Sequence, residues 1–245
     1  MLTRTEGVVL KSTVFGEADL IVTYLTRDFG ILKAFAKSPR KTKSRFGSSL
    51  EPLTYARIAV MGRENANLPR LTQSDIVRPF QRLREDYGIF VRTAGLIELN
   101  LRFLPEREPN PEAFRLLVQT LSRLESGVQS LYFLYAKTRF LQICGYLPEL
   151  AMCGRCGHET VSHGTHDFYL AHGAILCVHC SSVQEEARQV SAGAVRVFRS
   201  MLNWRFATLD RFSVADGLIN ELDNLLEAHI AYVLARPLRA RAAVV

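Results

Sequence analysis

Polar and apolar positions alternate along the first 75 residues of the chain, and the period lengthens beyond them. Val8, Leu10, Ser12 and Val14 share one parity, and Val9, Lys11, Thr13 and Phe15 share the other. A turn at Gly16-Glu17 leads into Leu20-Ile21-Val22-Thr23-Tyr24-Leu25, a run rich in β-formers. Asp28-Phe29-Gly30 connects tightly to a third strand, Ile31–Lys37, and Leu53–Met61 and Leu68–Ile76 supply two more. So many short strands in so little chain fit a small closed barrel, and an OB-like barrel leads among the candidates. Strand parity turns Leu32, Ala34 and Ala36 toward its core and Lys33, Phe35 and Lys37 outward, together with Lys11 and Phe15.

Near Arg78-Pro79 the period becomes about 3.6. Residues 81–104 set Leu83, Tyr87, Phe90, Ile97, Leu101 and Leu104 at helical spacing, and Pro105 and Pro109-Asn110-Pro111 interrupt. Helices follow at about 112–125 and 128–145. After a Gly- and His-rich segment they resume behind Ser191, a suitable N-cap, and behind Ser213, where Asp216 three residues on resembles a capping box. The expected fold class is α+β and multidomain: an N-terminal OB-fold barrel over 1–78, then a mainly α-helical domain over 79–245 with a cysteine-bearing insert at about 150–183.

That insert brings in chemistry. Cys153-x-x-Cys156 and Cys177-x-x-Cys180 enclose 20 residues, the spacing of a two-knuckle Cys₄ zinc ribbon. Two cysteines three apart around a Gly-containing turn aim both thiolates at one point, and two such turns complete a tetrahedron. One zinc ion held by Cys153, Cys156, Cys177 and Cys180 is the expected cofactor. Four thiolates saturate it, so its role is structural rather than catalytic. His158, His163, His166, His172 and His179 surround the knuckles and read as polar residues of a small exposed module. Cys144 reads as a small buried hydrophobe.

Composition is ordinary for a globular chain, at 48% hydrophobic and 22% charged. No stretch nears the roughly 20 apolar residues that cross a bilayer, and the start lacks the pattern of a signal peptide, so a cytoplasmic location is expected. The net charge of +7 is uneven. Residues 1–75 hold 12 Lys and Arg against 7 Asp and Glu, while residues 76–245 hold 19 against 17. A polyanionic partner therefore lands on the N-terminal part. From Lys37 to Arg45, five cations occur in nine residues with no acid. Lys37, Arg40, Lys41, Lys43 and Arg45 would grip phosphates, Lys11, Arg27 and Lys33 would extend the track, and Phe35 would stack on a base. The plainer alternative is a solvated loop, with Phe15 and Phe35 packed against the helices. No carboxylate cluster at metal spacing, phosphate-binding Gly loop or nucleophile–His arrangement occurs, which argues against an enzyme. Composition and motif leave two binding classes open, a DNA-binding protein and a zinc-ribbon OB-fold RNA-binding protein.

Three segments carry a resemblance. Phe15-Gly16-Glu17-Ala18-Asp19-Leu20-Ile21-Val22, Ala36-Lys37-Ser38-Pro39-Arg40-Lys41-Thr42-Lys43-Ser44-Arg45-Phe46-Gly47 and Ala228-His229-Ile230-x-x-Val233-Leu234-x-Arg236-Pro237-Leu238 are similar to the RecO family of bacterial recombination mediators. The resemblance runs over nearly the whole chain in one order: barrel, helices, cysteine module, helices. It implies a DNA repair and recombination protein that binds single- and double-stranded DNA and anneals complementary strands. It further implies help in loading the recombinase onto DNA coated with single-strand-binding protein in the RecF pathway. The implied partners are RecR and the acidic C-terminal tail of single-strand-binding protein, and the implied place is the cytoplasm, at the nucleoid.

Overall fold

A single long strand, β1 (Leu2–Phe15), organises the N-terminal part of the chain in this computed structural model. The structure describes residues 1–40, 46–63, 66–127, 130–159, 163–181 and 186–238. The start of β1, Leu2–Val8, pairs antiparallel with β4 (Tyr55–Met61), and Gly7–Phe15 pairs with β2 (Asp19–Thr26). β2 pairs with β3 (Gly30–Ala36), β4 with β5 (Arg70–Arg78), and a parallel bridge between Phe35 and Arg70 closes the ring. The strand order β1-β2-β3-β5-β4 is that of the OB-like barrel the alternation predicts.

The core holds Val9, Val22, Tyr24, Leu32, Ala34, Ala36, Ile58, Val60 and Leu71, all buried. Leu32, Ala34 and Ala36 thus face inward as parity predicts. Strand β1 departs from simple parity. Val9, opposite Tyr24, lies in the core, yet Lys11, opposite Thr23, faces out. A bulge at Leu10 inserts one residue between them and flips every side chain beyond it.

The chain divides into two compact units, Met1–Gly127 and Val128–Val245. The first adds to the barrel the helices α1 (Arg82–Glu85), α2 (Tyr87–Phe103) and α3 (Pro111–Ser126). The one helix expected over 81–104 is therefore two, because Asp86 turns extended and its carboxylate accepts the Ile89 N–H as an N-cap at 2.9 Å. Asn110 caps α3 in the same way, with Pro111 at the first helical position.

The second unit packs α4 (Ser130–Ile143) and α5 (Ala192–Met201) on α6 (Asp216–Val233). Between α4 and α5 lies a small antiparallel sheet, β6 (Thr165–Tyr169) between β7 (Ala174–Ile175) and β8 (Ala187–Ser191). Ser191 caps α5 as predicted, with its hydroxyl 3.1 Å from the Ala194 N–H. The capping box expected from Ser213 does not form. Helix α6 starts behind Ala215 without a side-chain cap, so Asp216 falls in the first turn, where its negative charge is favourable at the positive end of the helix dipole. Lys137 of α4 is 7% exposed and bonds both Asp223, at 2.7 Å, and Glu227 of α6. Among the described residues no helix is long and apolar enough to cross a membrane.

His229 of α6 is buried at 5% exposure, edge-on to Phe168 of β6. Its Nε2 donates to the Tyr146 carbonyl at 2.9 Å, so the neutral ring leaves Nδ1 bare, and Nδ1 has no partner. Burial holds the imidazole below its ordinary pKa of 6.5. The unfolded chain then binds the extra proton first as pH falls. Stability from His229 is complete above about pH 6.5 and declines as pH drops below it toward the folded pKa. Urea midpoints measured from pH 7.5 to 5.5 are expected to fall for the native chain. They should fall less for His229→Gln, which keeps a donor but cannot titrate, and parallel curves would contradict the assignment.

Candidate nucleic-acid interface and metal centre

The outward rows of β1, β2 and β3 place the predicted residues on one barrel face. Lys11, Thr23 and Lys33 form one cross-strand row, and Thr13, Ile21 and Phe35 form the next. With strands about 4.8 Å apart, Lys11 and Lys33 stand roughly 10 Å from one another across β2. Phe15 and Phe35 meet edge to face, with centroids 5.9 Å apart and planes at 88°. Phe15 remains 52% exposed, so the pair is a surface feature rather than part of the core.

Local hydrogen bonds hold the described start of the basic segment, residues 37–40, at the β1–β2 turn. The Ser38 N–H donates to Asp19 Oδ1 at 2.6 Å, and Arg40 donates through its guanidinium to the Glu17 carbonyl at 3.1 Å. The end of β3 is thereby pinned to the β1–β2 turn, and Lys37 and Arg40 lie exposed beside Phe15. Lys41, Lys43 and Arg45 lie outside the described residues.

Other predicted contacts sit differently. Lys33 is paired with Glu106, both ends well exposed. A surface pair of this kind is worth about 0–1 kcal/mol and yields easily to a competing anion. Arg27 follows the far end of β2, roughly 25 Å along the strand from Asp19. There it pairs with Asp28 and Glu6, whose own second partner is Arg57, and is not brought to the aromatic pair. One contributor escapes periodicity. Arg70 is exposed and stands next to Phe35 only because β5 closes the ring in parallel, a pairing across 35 residues that no local pattern announces.

The four cysteines converge in the second unit, with sulfurs within 4.8 Å of one another. Cys156 and Cys177 sulfurs are 3.7 Å apart. A tetrahedron with metal–sulfur bonds of about 2.3 Å has an edge of about 3.8 Å, so the set fits one four-coordinate ion. The backbone shapes each knuckle: Gly157 N–H donates to the Cys153 carbonyl, and Cys180 and Ser181 N–H both donate to the Cys177 carbonyl, all at 2.9 Å. Glycine is required at 154, where a Cβ would stand 2.5 Å from that of Ala174 as the knuckle crosses β7. His158 Nδ1 lies 3.3 Å from the Cys156 sulfur, beside the set.

The thiols differ in acidity. Backbone N–H groups of Cys156 and Cys177 pull Cys153 down to about 6. The thiols of Cys177 and Cys156, sharing protons with Cys180, push it up to about 12. One cysteine ionises readily and another resists because its neighbours crowd it. A bound cation removes that conflict by ionising the set together.

Comparison with known proteins agrees across the chain. Residues 1–80 match the family profile described as Recombination protein O N terminal, and residues 88–242 the one described as Recombination protein O C terminal. The chain is 44% identical to the DNA repair protein RecO of Thermodesulfovibrio yellowstonii, over 94% of this chain and 92% of that protein. It is 31% identical to a DNA repair protein RecO of Dehalococcoides mccartyi, over 97% and 92%. With that of a Nocardioides species it shares 33%, over 99% and 98%.

Cys153→Ser is expected to abolish tight metal binding, lowering one ion per chain to none by elemental analysis. Amide exchange should then quicken in peptides spanning the two knuckles while the strands of the barrel keep their protection. Equal loss of protection in both would contradict a local scaffold.

Proposed function

The chain belongs to the RecO family of DNA repair proteins, and we propose that it is a recombination mediator that binds DNA on its barrel and anneals complementary strands without bond chemistry. The supporting observation is the edge-to-face pair Phe15–Phe35 with Lys37, Arg40 and Arg70 around it on an outer barrel face. Aromatic faces accept any base, and flanking cations track phosphates, which suits binding without sequence preference. On charge alone the track continues through Lys41, Lys43 and Arg45, with Lys11 and Lys33 at its other side. Duplex DNA uses the same cations without the stacking. Annealing follows from neutralising two strands near one another, and needs neither a nucleophile nor an open metal position.

The ion in the cysteine set is zinc, in this reading. Four thiolates in a tetrahedron suit zinc or an iron–sulfur centre, and the ribbon spacing selects zinc. When bound it supplies a structural cross-link, since a closed coordination shell leaves no place for water. The reading includes the partners that the family resemblance implies, RecR and the acidic tail of single-strand-binding protein, and recombinase loading in the cytoplasm as the purpose of the assembly.

Fluorescence anisotropy with labelled single-stranded DNA tests the interface. Phe35→Ala should weaken binding about tenfold, since stacking contributes about 1–3 kcal/mol per base. Lys37→Glu with Arg40→Glu should weaken it further and flatten the dependence of log affinity on log salt by about 1.4, two single-strand phosphate contacts. Binding unchanged at moderate salt in both variants would remove the assignment of this face. RNA outcompeting DNA of equal length would replace the substrate.

A further inference from the structure

The turn that follows α5 carries chemistry that neither the barrel nor the metal module uses. Between Arg196 and Phe212 the chain has four arginines and one acid, Asp210, and the Tyr132 hydroxyl donates to that carboxylate. Arg196 and Arg199 occupy the exposed side of α5, whose opposite side buries Val195, Phe198 and Met201. Arg205 and Arg211 stand at the two ends of a short 3-10 turn, and both are exposed. Trp204 and Phe212 close that turn by stacking, with centroids 4.1 Å apart and planes at 7°.

The stack is held from below. Phe206 packs on Tyr132 and Tyr135, and the Tyr135 hydroxyl donates to the Trp204 carbonyl at 3.0 Å. Phe212 keeps 37% of its surface open. A fixed, flat ring pair between exposed guanidinium groups matches a ligand with planar rings on an anionic backbone. Guanidinium groups take phosphate in a fork, and a free ring face takes a base. An acidic peptide would engage the arginines but make no use of the parallel stack. We propose that the Trp204–Phe212 stack, with Arg205 and Arg211, is a second docking face for single-stranded DNA, carried by the helical unit. It goes beyond the barrel face and does not depend on it.

Trp204 is the chain's one tryptophan, so its emission reports on this face alone. The full chain titrated with an oligothymidylate at low salt should show saturable quenching, with anisotropy of the labelled strand followed in parallel. Quenching should persist in Lys37→Glu/Arg40→Glu and shift to at least tenfold higher DNA concentration in Arg205→Glu/Arg211→Glu. Circular dichroism checks the fold of the reversal variant, and Arg205→Gln/Arg211→Gln carries the test if that one unfolds. Binding by anisotropy with Trp204 emission unchanged would overturn the proposal, and so would quenching that survives loss of both arginines. Quenching by a polyglutamate peptide but not by the oligonucleotide would also overturn it. Quenching kept while the barrel variants bind as the native chain does would instead sink only the barrel face.

Discussion

Closure of the barrel by one bent strand is the constraint on which the N-terminal unit depends. Strand β1 must serve β4 with its first half and β2 with its second, so it turns a corner within fourteen residues. Gly7, paired with both Thr26 and Ala56, lets the neighbouring strands come close, and the bulge at Leu10 supplies the bend. The bulge also decides the surface. Beyond it Lys11 and Phe15 take the outer positions, and Phe15 can then reach Phe35 across β2. Without the inserted residue, Phe15 would turn inward and its aromatic partner would stand alone.

The cysteine module poses a different problem. Between Cys153 and Cys180 the chain buries Phe168, Tyr169, Ile175 and Leu176, but the cluster at the cysteines themselves is only Cys153, Tyr169 and Leu176 with Cys177 and Cys180 beside it. An ion held by the four thiolates would cross-link the two knuckles around that small cluster. Two side chains of α6 tie the small sheet and its flanks to the helices. His229 reaches the Tyr146 carbonyl and packs on Phe168, and Glu221 accepts from the Ser191 hydroxyl at 2.8 Å. The Ala228-His229-Ile230 segment is therefore a structural signature of the second unit.

Much of this was legible in the residues themselves. Alternation placed the strands and the core side of β3, the cysteine spacing announced that four thiols converge, and Ser191 announced a helix. The departures share a cause, which is that tertiary contacts act where local pattern is silent. A bulge has no fixed sequence mark, so Val9 and Lys11 looked equivalent. Ser213 looked like a cap and does not act as one, while Asp86, inside the expected first helix, caps α2 instead. Arg70 and Phe35 became neighbours through ring closure. The stack of Trp204 on Phe212 closes a 3-10 turn whose period belongs to neither helix nor strand, so no periodicity revealed it.

The kind of cation also differs along the chain. Five of its six lysines fall within the first 43 residues, and the sixth, Lys137, is buried between two carboxylates. Every other side-chain cation, including all four around Trp204 and Phe212, is an arginine. Lysine is a strongly hydrated point charge on a flexible stem, suited to following a phosphate chain without fixing its register. Arginine is a planar fork that stacks and pairs at defined angles. If the chain anneals strands as proposed, it has use for both behaviours. On that reading the lysines of the barrel face would favour a strand that can slide, and the arginine-framed stack one whose bases are held in place.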